Sequence, residues 1–542
     1  MESSKIYLKE ITQQIEKHAE LYGIHESFIF HISKHPDFDI QCNNFVKLKN
    51  LEVELIDLIE KTLSENSYIE DCKFTDKNFL NIKFSHNYFE NCLKKDQDFK
   101  VQERKKVLLD YGGFNIGKAL HVGHIRSLNI GRSLYNTLDF VGHKPVSDIH
   151  YGDWGVQMAQ IVAYIIQNKI DLNSIRSADL DLIYPEASMM SKQDEHFSSL
   201  VSKVLWNLNN NNRKEVDIWK AIYTISTKEI DNILKILGYE FDQKLGESNV
   251  VGIIPDLIKN FENLGLVEVD EGALIACDKQ DPPAILVKSD GTYMYLTTDI
   301  GTVVNREKKY KSDIYIYVTD QRQGLHFKQL FKLVEYFSLS SSRFIHVGFG
   351  TINNESGKPL KTRDGGVYKL IDLFNEIEKE LKFRNNDDLL ARNLAKSVLT
   401  YSDLATKRVS DYNFDLKKFT NINGKSAIYL QYSQVRARKL LKNKNVSRKF
   451  YNFNDDERDL AMEIVHFSYA LEQTLQTFEP HHMAEYGYNL AQKFNTFYKN
   501  NKILSEDLNS ETSISRLSLV DAFFETILNV FYCLGLEPVE SM

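Results

Sequence analysis

The sequence predicts a multidomain α/β protein: a central parallel-sheet domain, a small α+β domain before it and an all-α domain after it. Three observations predict this. In the middle of the chain, short apolar runs alternate with helical periodicities, the pattern of β-α-β units and a parallel sheet. Residues 1–100 mix helical spacing with alternating runs. From residue 386 to the end the pattern is almost entirely helical. A chain of 542 residues exceeds what one core fills, so about two to four domains are expected.

The elements follow in order. Ile6, Leu8 and Ile11 begin one helical pattern, and a second runs from Leu51 to Leu63. Phe79–Phe84 alternates as a half-buried strand does. The polar stretch Lys94–Asp98 reads as a linker. Val107–Leu109 is then a buried strand, followed by a glycine-rich turn and a helical pattern through Leu128, Leu134 and Leu138. Val146–His150 is another strand. Met158, Ile161, Val162, Ile165 and Ile166 share a helix face, with Asp153 placed to cap that helix. Roughly 170–280 reads as a mostly helical insertion within residues 101–385. Ile314–Val318 and Phe344–Val347 are further strands. Ligands of such sheets bind at the C-terminal ends of the strands.

Composition narrows the class. Hydrophobic residues make up 42% and charged residues 26%, ordinary for a globular protein. No apolar run reads as membrane-spanning, and Met1–Lys5 begins neither a signal nor a transit peptide, so a soluble, cytoplasmic protein is expected. Cys42, Cys72, Cys92, Cys277 and Cys533 form no CxxC pair, which argues against a zinc ribbon or a redox motif and for free thiols in a reducing compartment. A formal net charge of −8 argues against a protein coated in nucleic acid and leaves room for a local basic groove.

The chemistry concentrates in Asp110–His124, DYGGFNIGKALHVGH, which joins a strand to a helix, where backbone N–H groups and the helix dipole favour phosphate. Two readings compete. Gly112, Gly117 and Lys118 fit the P-loop pattern GxxxxGK, but Ala119 stands where the magnesium-binding hydroxyl belongs. Alternatively, His121 and His124, at i and i+3, share one face of a first helical turn. Both can then donate to an α-phosphate that gains charge during in-line attack, and Gly123 lets the nucleotide come close to the backbone.

His121–His124 resembles the HIGH signature of class I aminoacyl-tRNA synthetases. Asn115–Ser127 resembles the extended HIGH region of one family in that class, the arginyl-tRNA synthetases. Gly152–Gln157 (GDWGVQ), Tyr295–Asp299 (YLTTD), Asp320–His326 (DQRQGLH), His346–Gly350 ahead of Gly357–Gly366, and Tyr429–Tyr432 with Arg436 are similar to further motifs of the family, in the same order. The resemblance covers nearly the whole chain. It implies an N-terminal additional tRNA-binding domain over 1–100, a Rossmann-type catalytic domain over 101–385 and an anticodon-binding helical bundle over 386–542. It also implies arginine–tRNA ligase activity, with L-arginine, ATP and tRNA(Arg) as partners and a monomeric state. Magnesium would arrive with ATP, without a dedicated protein metal site.

The same resemblance implies residue roles. Lys118, His121, His124, Lys361 and Arg363 would be catalytic; Gly123, His346, Gly348 and Phe349 would bind ATP. Asp110, Asn115, Tyr295, Asp299 and Gln323 would bind arginine. Asp299, Tyr295 and Gln323 supply the carboxylate, flat surface and acceptors that a guanidinium needs, although alone Asp299 could cap a helix and Tyr295 could fill a core. Tyr429, Tyr432 and Arg436 would contact tRNA, beside a basic run from Arg436 to Lys449. Such an arginine pocket needs no editing domain, so the insertion reads as scaffold for the tRNA acceptor end.

The chain also departs from the family. Gly113-Phe114-Asn115 replaces Ser-Pro-Asn, so something other than proline must fix the turn. Thr362 occupies the place of the second lysine of the KMSKS signature, and the resemblance makes Lys118 its substitute. Gln434 and Ser541 stand where relatives often carry His and Arg. Met189–Gln193 looks more like KMSKS than the segment around Thr362, but no strand leads into it, and it reads as a loop.

Overall fold

The computed structural model describes residues 3–542 except 34, 36, 49, 50, 95, 96, 281, 355, 356, 359, 361–367, 386 and 505–509, with backbone alone at 3–10, 384 and 385. The chain begins with helix α1 (Ser3–Leu21), strands β1 (Phe30–Ile32) and β2 (Ile40–Cys42), helix α2 (Val53–Ser64), strands β3 (Ile69–Phe74) and β4 (Leu80–Phe84) and helix α3 (His86–Cys92). The strands pair antiparallel in the order β1-β2-β4-β3. β4 lies inside the sheet, which is why Asn81, on the face expected to be wet, is buried along with Leu80 and Ile82. Leu55, Ile59 and Leu63, spaced by four, are the buried stripe of α2.

The central region runs β5 (Lys106–Tyr111), α4 (His124–Phe140), β6 (Lys144–Tyr151), α5 (Val156–Gln167), α6 (Ser177–Gln193), α7 (Glu195–Asn209), α8 (Arg213–Leu237) and β7 (Gln243–Gly246). There follow α9 (Ile254–Asn263), the antiparallel β8 (Val267–Asp270), β9 (Ala273–Ala276) and β10 (Ile285–Val287), then α10 (Tyr295–Lys309), β11 (Ile314–Asp320), α11 (Gly324–Tyr336) and β12 (Arg343–Phe349). β13 (Ile352–Asn353), α12 (Leu370–Asn385), α13 (Asp388–Leu404), β14 (Tyr412–Asn413) and α14 (Leu416–Phe419) complete it.

Five strands form one parallel sheet, ordered β12-β11-β5-β6-β7. Val107, Leu108 and Leu109 of β5 are wholly buried because helices cover both faces. Strand order reverses between β5 and β11, so the loops after these two strands diverge and leave a crevice.

Three sequence expectations change here. The helical insertion over 170–280 is interrupted by β7, which is an edge strand of the main sheet; its polar residues Gln243 and Lys244 hid it from a hydrophobic reading. Met189–Gln193 is the last turn of α6, whose buried stripe Leu180, Ile183 and Ala187 carries the helix to Asp194. Asp153 does not cap α5: Gly155 occupies the cap position, and the Asp153 carboxylate accepts instead from the Ser248 N–H (2.9 Å) and hydroxyl (2.6 Å).

The last elements are helices α15 (Ala427–Leu441), α16 (Asp455–Val465), α17 (Phe467–Thr477), α18 (His481–Asn500) and α19 (Glu511–Leu534). By length and composition α19 is apolar enough to cross a membrane, against the sequence expectation, but 67% of its apolar window is buried inside the protein. Phe523 of α19 stacks on Phe494 of α18 at 3.9 Å, as in a bundle core. Gly535, in the left-handed conformation, ends the helix.

Contacts divide the chain into two units: 1–102, 140–142 and 421–542 form one, and 103–139 with 143–420 form the other. In the first, the N-terminal region and the bundle are fastened by arginines. Arg458 donates to Asp39 (2.7 Å) and the Phe84 carbonyl (2.9 Å), and Arg448 joins Asp521 to the Leu93 carbonyl. In the second, α13 belongs with the sheet because its Asp403 is buried against Arg126 of α4, 2.8 Å away, and also accepts from Asn129. The division therefore falls at 420 rather than near 385. Removing one partner of a buried pair leaves an uncompensated charge. Asp403→Ala should accordingly cost about 3–5 kcal/mol in chemical denaturation; a loss below about 1 kcal/mol would show that Arg126 finds another partner.

Candidate active site

The loop from Gly112 to His124 leaves β5 at the crevice. Its shape comes from hydrogen bonds to its own backbone amides. Ser127 Oγ accepts from Gly112 N (2.8 Å), Gly152 O from Ile116 N (3.1 Å), Ser226 Oγ from Gly117 N (3.0 Å), Asp181 Oδ1 from Ala119 N (3.0 Å) and Tyr368 O from Val122 N (3.0 Å). Gly152 N also donates to Phe114 O (2.9 Å). This pairing with the GDWG segment replaces the missing proline. A Cβ on Gly152 would meet Asn115 Oδ1 at 2.3 Å, so the close approach requires glycine there. Phe114 is fully buried, its ring edge-on to His124 at 5.3 Å.

The two histidines are stacked, with ring centroids 3.8 Å apart. His124 Nδ1 accepts the His121 N–H (3.0 Å), and His121 Nδ1 accepts the Gly123 N–H (3.1 Å). A ring nitrogen that accepts carries no proton, so each neutral ring holds its hydrogen on Nε2. Burial, then the neighbouring His121, pushes His124 down to about 3; burial, then Lys118, lowers His121. Both are therefore neutral donors at physiological pH. Gly123 serves this geometry directly, since a Cβ there would lie 2.9 Å from His121 Cε1.

His121, Gly123 and His124 line an open cavity of about 650 Å³ together with Asn115, Asp320, Gln323 and Phe349. The sequence reading missed Gly350, Thr351, Ile352, Leu360 and Tyr368 on the same wall. The other expected ATP residues stand behind it. His346 stacks on Phe327 at 4.7 Å with Nε2 2.9 Å from Thr319 Oγ1, and burial, then Arg408, holds it near 4. The Gly348 carbonyl accepts from Arg408 Nη1 (2.6 Å). Lys118 faces a separate cavity of about 190 Å³, its ammonium 4.2 Å from the Tyr184 ring centroid. Lys361, Thr362 and Arg363 lie outside the described residues.

The expected arginine residues are divided. Asn115 and Gln323 line the large cavity; Tyr295, at the start of α10, lines a smaller one of about 120 Å³ with Trp154 and Glu247. Asp299 is 2.6 Å from His326 Nε2. Asp110 is engaged internally: Arg306, itself buried, donates to Asp110 Oδ2 (2.7 Å) and Asp148 Oδ2 (2.8 Å). Burial opposes the Arg306 charge, and Asp110 and Asp148 outweigh it. Glu247, in the turn after β7, was not foreseen. Burial, then the charges of Asp299 and Asp153, pushes its carboxyl up to about 8. Recognising β7 as a sheet strand would have placed Glu247 at a C-terminal strand end, where ligands bind.

In the helical bundle, Tyr429 and Tyr432 are half-buried. Arg436 donates to Asn495 Oδ1 and the Tyr432 hydroxyl, each 2.7 Å away, with its guanidinium 4.1 Å from the Tyr432 ring centroid. Gln434 is buried and donates to the Val539 carbonyl at 2.5 Å, which gives it a place in the bundle core.

A parallel sheet whose strand exit carries this histidine pair matches known proteins. Residues 89–416 match the family described as tRNA synthetases class I (R), catalytic domain, and residues 430–542 match the DALR anticodon binding domain. The curated arginine–tRNA ligase of Agathobacter rectalis is 32% identical over 94% of this chain and 95% of its own length; that of Francisella tularensis subsp. novicida is 32% identical over 93% and 94%. Among solved structures, arginyl-tRNA synthetase from Plasmodium falciparum superposes with a TM-score of 0.84 at 26% identity, covering 98% of this chain and 99% of that one. The Thermus thermophilus arginyl-tRNA synthetase has the same fold, with a TM-score of 0.81 at 18% identity, covering 98% and 100%. The chain belongs to the arginyl-tRNA synthetase family.

The tautomer assignment has a direct check. With His124 held near 3, its ring resonances should not titrate between pH 5 and 8 and should show the hydrogen on Nε2. Nitrogen-15 NMR of histidine-labelled protein would refute this if His124 titrated near 6.5.

Proposed function

We propose that His121 and His124 donate through Nε2–H to the α-phosphate of ATP while the arginine carboxylate attacks it. The reaction is the one that defines the family: the protein is an enzyme that activates arginine and charges tRNA. The observation that carries the residue roles is the pair of backbone amides donating to the two Nδ1 atoms. They leave only Nε2–H free to meet phosphate oxygens, and a fixed donor aimed at developing charge costs no reorganisation. Phe349, Gly350 and Thr351 shape the wall that receives the nucleotide. Lys118 moves from Tyr184 to the β- and γ-phosphates, and Lys361 or Arg363 helps to hold the pyrophosphate. Magnesium travels on ATP. Arginyl-adenylate then passes its arginine to the 2′-hydroxyl of the terminal adenosine of the tRNA.

The substrate guanidinium binds between Asp299 and Glu247, with Tyr295 as the flat surface and Asn115 and Gln323 as acceptors toward the α-amino end. Asp110 acts through Arg306 rather than on the substrate. The N-terminal region and the α-helical bundle contact tRNA, Tyr429 and Tyr432 by stacking, with Arg436 holding Tyr432 in place. The working form is a cytoplasmic monomer.

Arginine-dependent ATP–pyrophosphate exchange, run with and without tRNA(Arg), tests the function. His124→Ala should lower its rate ~10²-fold or more, as for loss of one transition-state donor, with the fold retained. Exchange that is absent in the wild type would leave only an RNA-binding relative, and an unaffected His124→Ala would remove the donor role. For the pocket, Glu247 is largely protonated below about 8, and arginine binding favours its ionised form. The KM for arginine should therefore fall as pH rises from 6.5 to 8.5, while the KM for ATP changes little. Glu247→Gln should raise the arginine KM and flatten this dependence. An unchanged pH profile in that variant would count against Glu247.

A further inference from the structure

We propose that Asp181, on helix α6, is a positioning residue for ATP, because it fastens the histidine loop to the segment that follows residues 361–367. The inference rests on the ATP site described above. Asp181 Oδ1 accepts from Ala119 N (3.0 Å), two residues before His121, and Oδ2 lies 2.6 Å from Lys369 Nζ. The hydrogen bond to Asp181, and after it the Asp181 charge, raises the pKa of Lys369 against its partial burial. One carboxylate thus bridges two chain segments that both reach the nucleotide cavity.

These segments already meet through backbone. His121 and Lys369 form an antiparallel bridge, Val122 N donates to Tyr368 O (3.0 Å) and Leu370 N to Leu120 O (2.9 Å). Tyr368 lines the large cavity beside His121. The bridge therefore fixes two things together: the height of the histidine rings over the cavity, and the point from which residues 361–367 leave. A two-bond bridge between loops can slide or twist. A side chain anchored on a rigid helix and bound to both strands of the bridge removes that freedom.

Tyr184 supports the same assignment. It lies three residues along α6, hence on the same face, and its ring holds the Lys118 ammonium at 4.2 Å. Helix α6 so contacts the histidine loop at two consecutive residues, Lys118 and Ala119. Lys118 and Lys369 line one cavity of about 190 Å³, and Asp181 there offsets the repulsion of two ammonium groups. None of these α6 residues belongs to the sequence motifs of the catalytic centre. The helical insertion consequently takes part in amino-acid activation as well as supporting tRNA.

Misplacement of reacting groups by about 1 Å can cost 10²-fold in rate. Asp181→Ala, which loses both bonds, should lower the rate of pyrophosphate exchange at saturating substrates about 10-fold or more and raise the KM for ATP, with the KM for arginine within about twofold. Asp181→Asn keeps an oxygen for the Ala119 N–H and should recover part of the loss. Lys369→Met, at a half-exposed position, removes only the ion pair and covers the case of an unstable Asp181→Ala. The Asp181→Ala/Lys369→Met double variant should be no worse than Asp181→Ala alone. Equal changes in both KM values, or additive losses in the double variant, would overturn the proposal. Absence of exchange in the wild type would instead overturn the functional reading on which it rests.

Discussion

The fate of the backbone amides between Gly112 and Val122 decides what this site can do. A phosphate cradle of the P-loop kind needs several free amides converging on one point. Here Gly112, Ile116, Gly117, Ala119, His121, Val122 and Gly123 all donate to protein acceptors. The glycine-rich loop is held by the protein around it and does not wrap the phosphate with those amides. Recognition passes to the side chains, and two of the same amides, at His121 and Gly123, select the imidazole tautomer that can donate. These hydrogen bonds favour a histidine site over a damaged P-loop.

The acceptors in that inventory come from distant parts of the chain, which explains why so large a unit is needed around so small a site. Gly152 arrives on the exit of β6, Ser226 on α8, Asp181 on α6 and Tyr368 just before α12. The GDWG segment is the common junction. Gly152 pairs with the loop, the Asp153 carboxylate binds Ser248 after β7, and the Asp153 carbonyl accepts the Trp219 indole N–H (2.7 Å). Trp154 donates to Asn209 of α7 (3.0 Å). Gly152, Asp153 and Trp154 therefore tie the main sheet and the histidine loop to the helical insertion, and a shift in α7 or α8 has a covalent and hydrogen-bonded route to that loop.

Much of this was legible in the sequence, and the failures share a cause. Val107–Leu109 and Ile314–Val318 were readable because a buried parallel strand is largely apolar, whereas Val146–His150 carries buried Ser147 and Asp148 and gave a weaker signal. Tyr295 and Asp299 stood out only through the motifs that resemble the family; His121 and His124 were readable because an i, i+3 pair at a helix start shares one face. Glu247 and Asp181 were not. Glu247 reaches the cavity it lines only because β7, a short and polar edge strand, completes the sheet beside β6; Asp181 reads as one more polar residue on a helix until Ala119 and Lys369 are brought to it. His346 is placed differently from its motif neighbours. Its motif neighbours line the cavity, but alternation along β12 turns its own ring toward Phe327. Residues whose partners are local can be read from spacing, whereas those whose partners lie tens or hundreds of residues away need the fold.

Asp110 shows what this distinction means for specificity. A carboxylate at the end of β5 suggests a direct ligand for a cationic substrate, yet Asp110 and Asp148 share the internal guanidinium of Arg306. A buried guanidinium is tolerable only when its planar donors meet charged acceptors, and two carboxylates supply them. Arg306 offsets one of the two negative charges of Asp110 and Asp148, and Asp110 lies near Asp299. In the proposed pocket, Asp299 and, when ionised, Glu247 would face a planar cationic donor. A lysine ammonium could supply the charge, but it could not reach two separated carboxylates with parallel bonds. Under the proposed binding mode, the unpaired buried oxygen it would leave would disfavour lysine at the binding step.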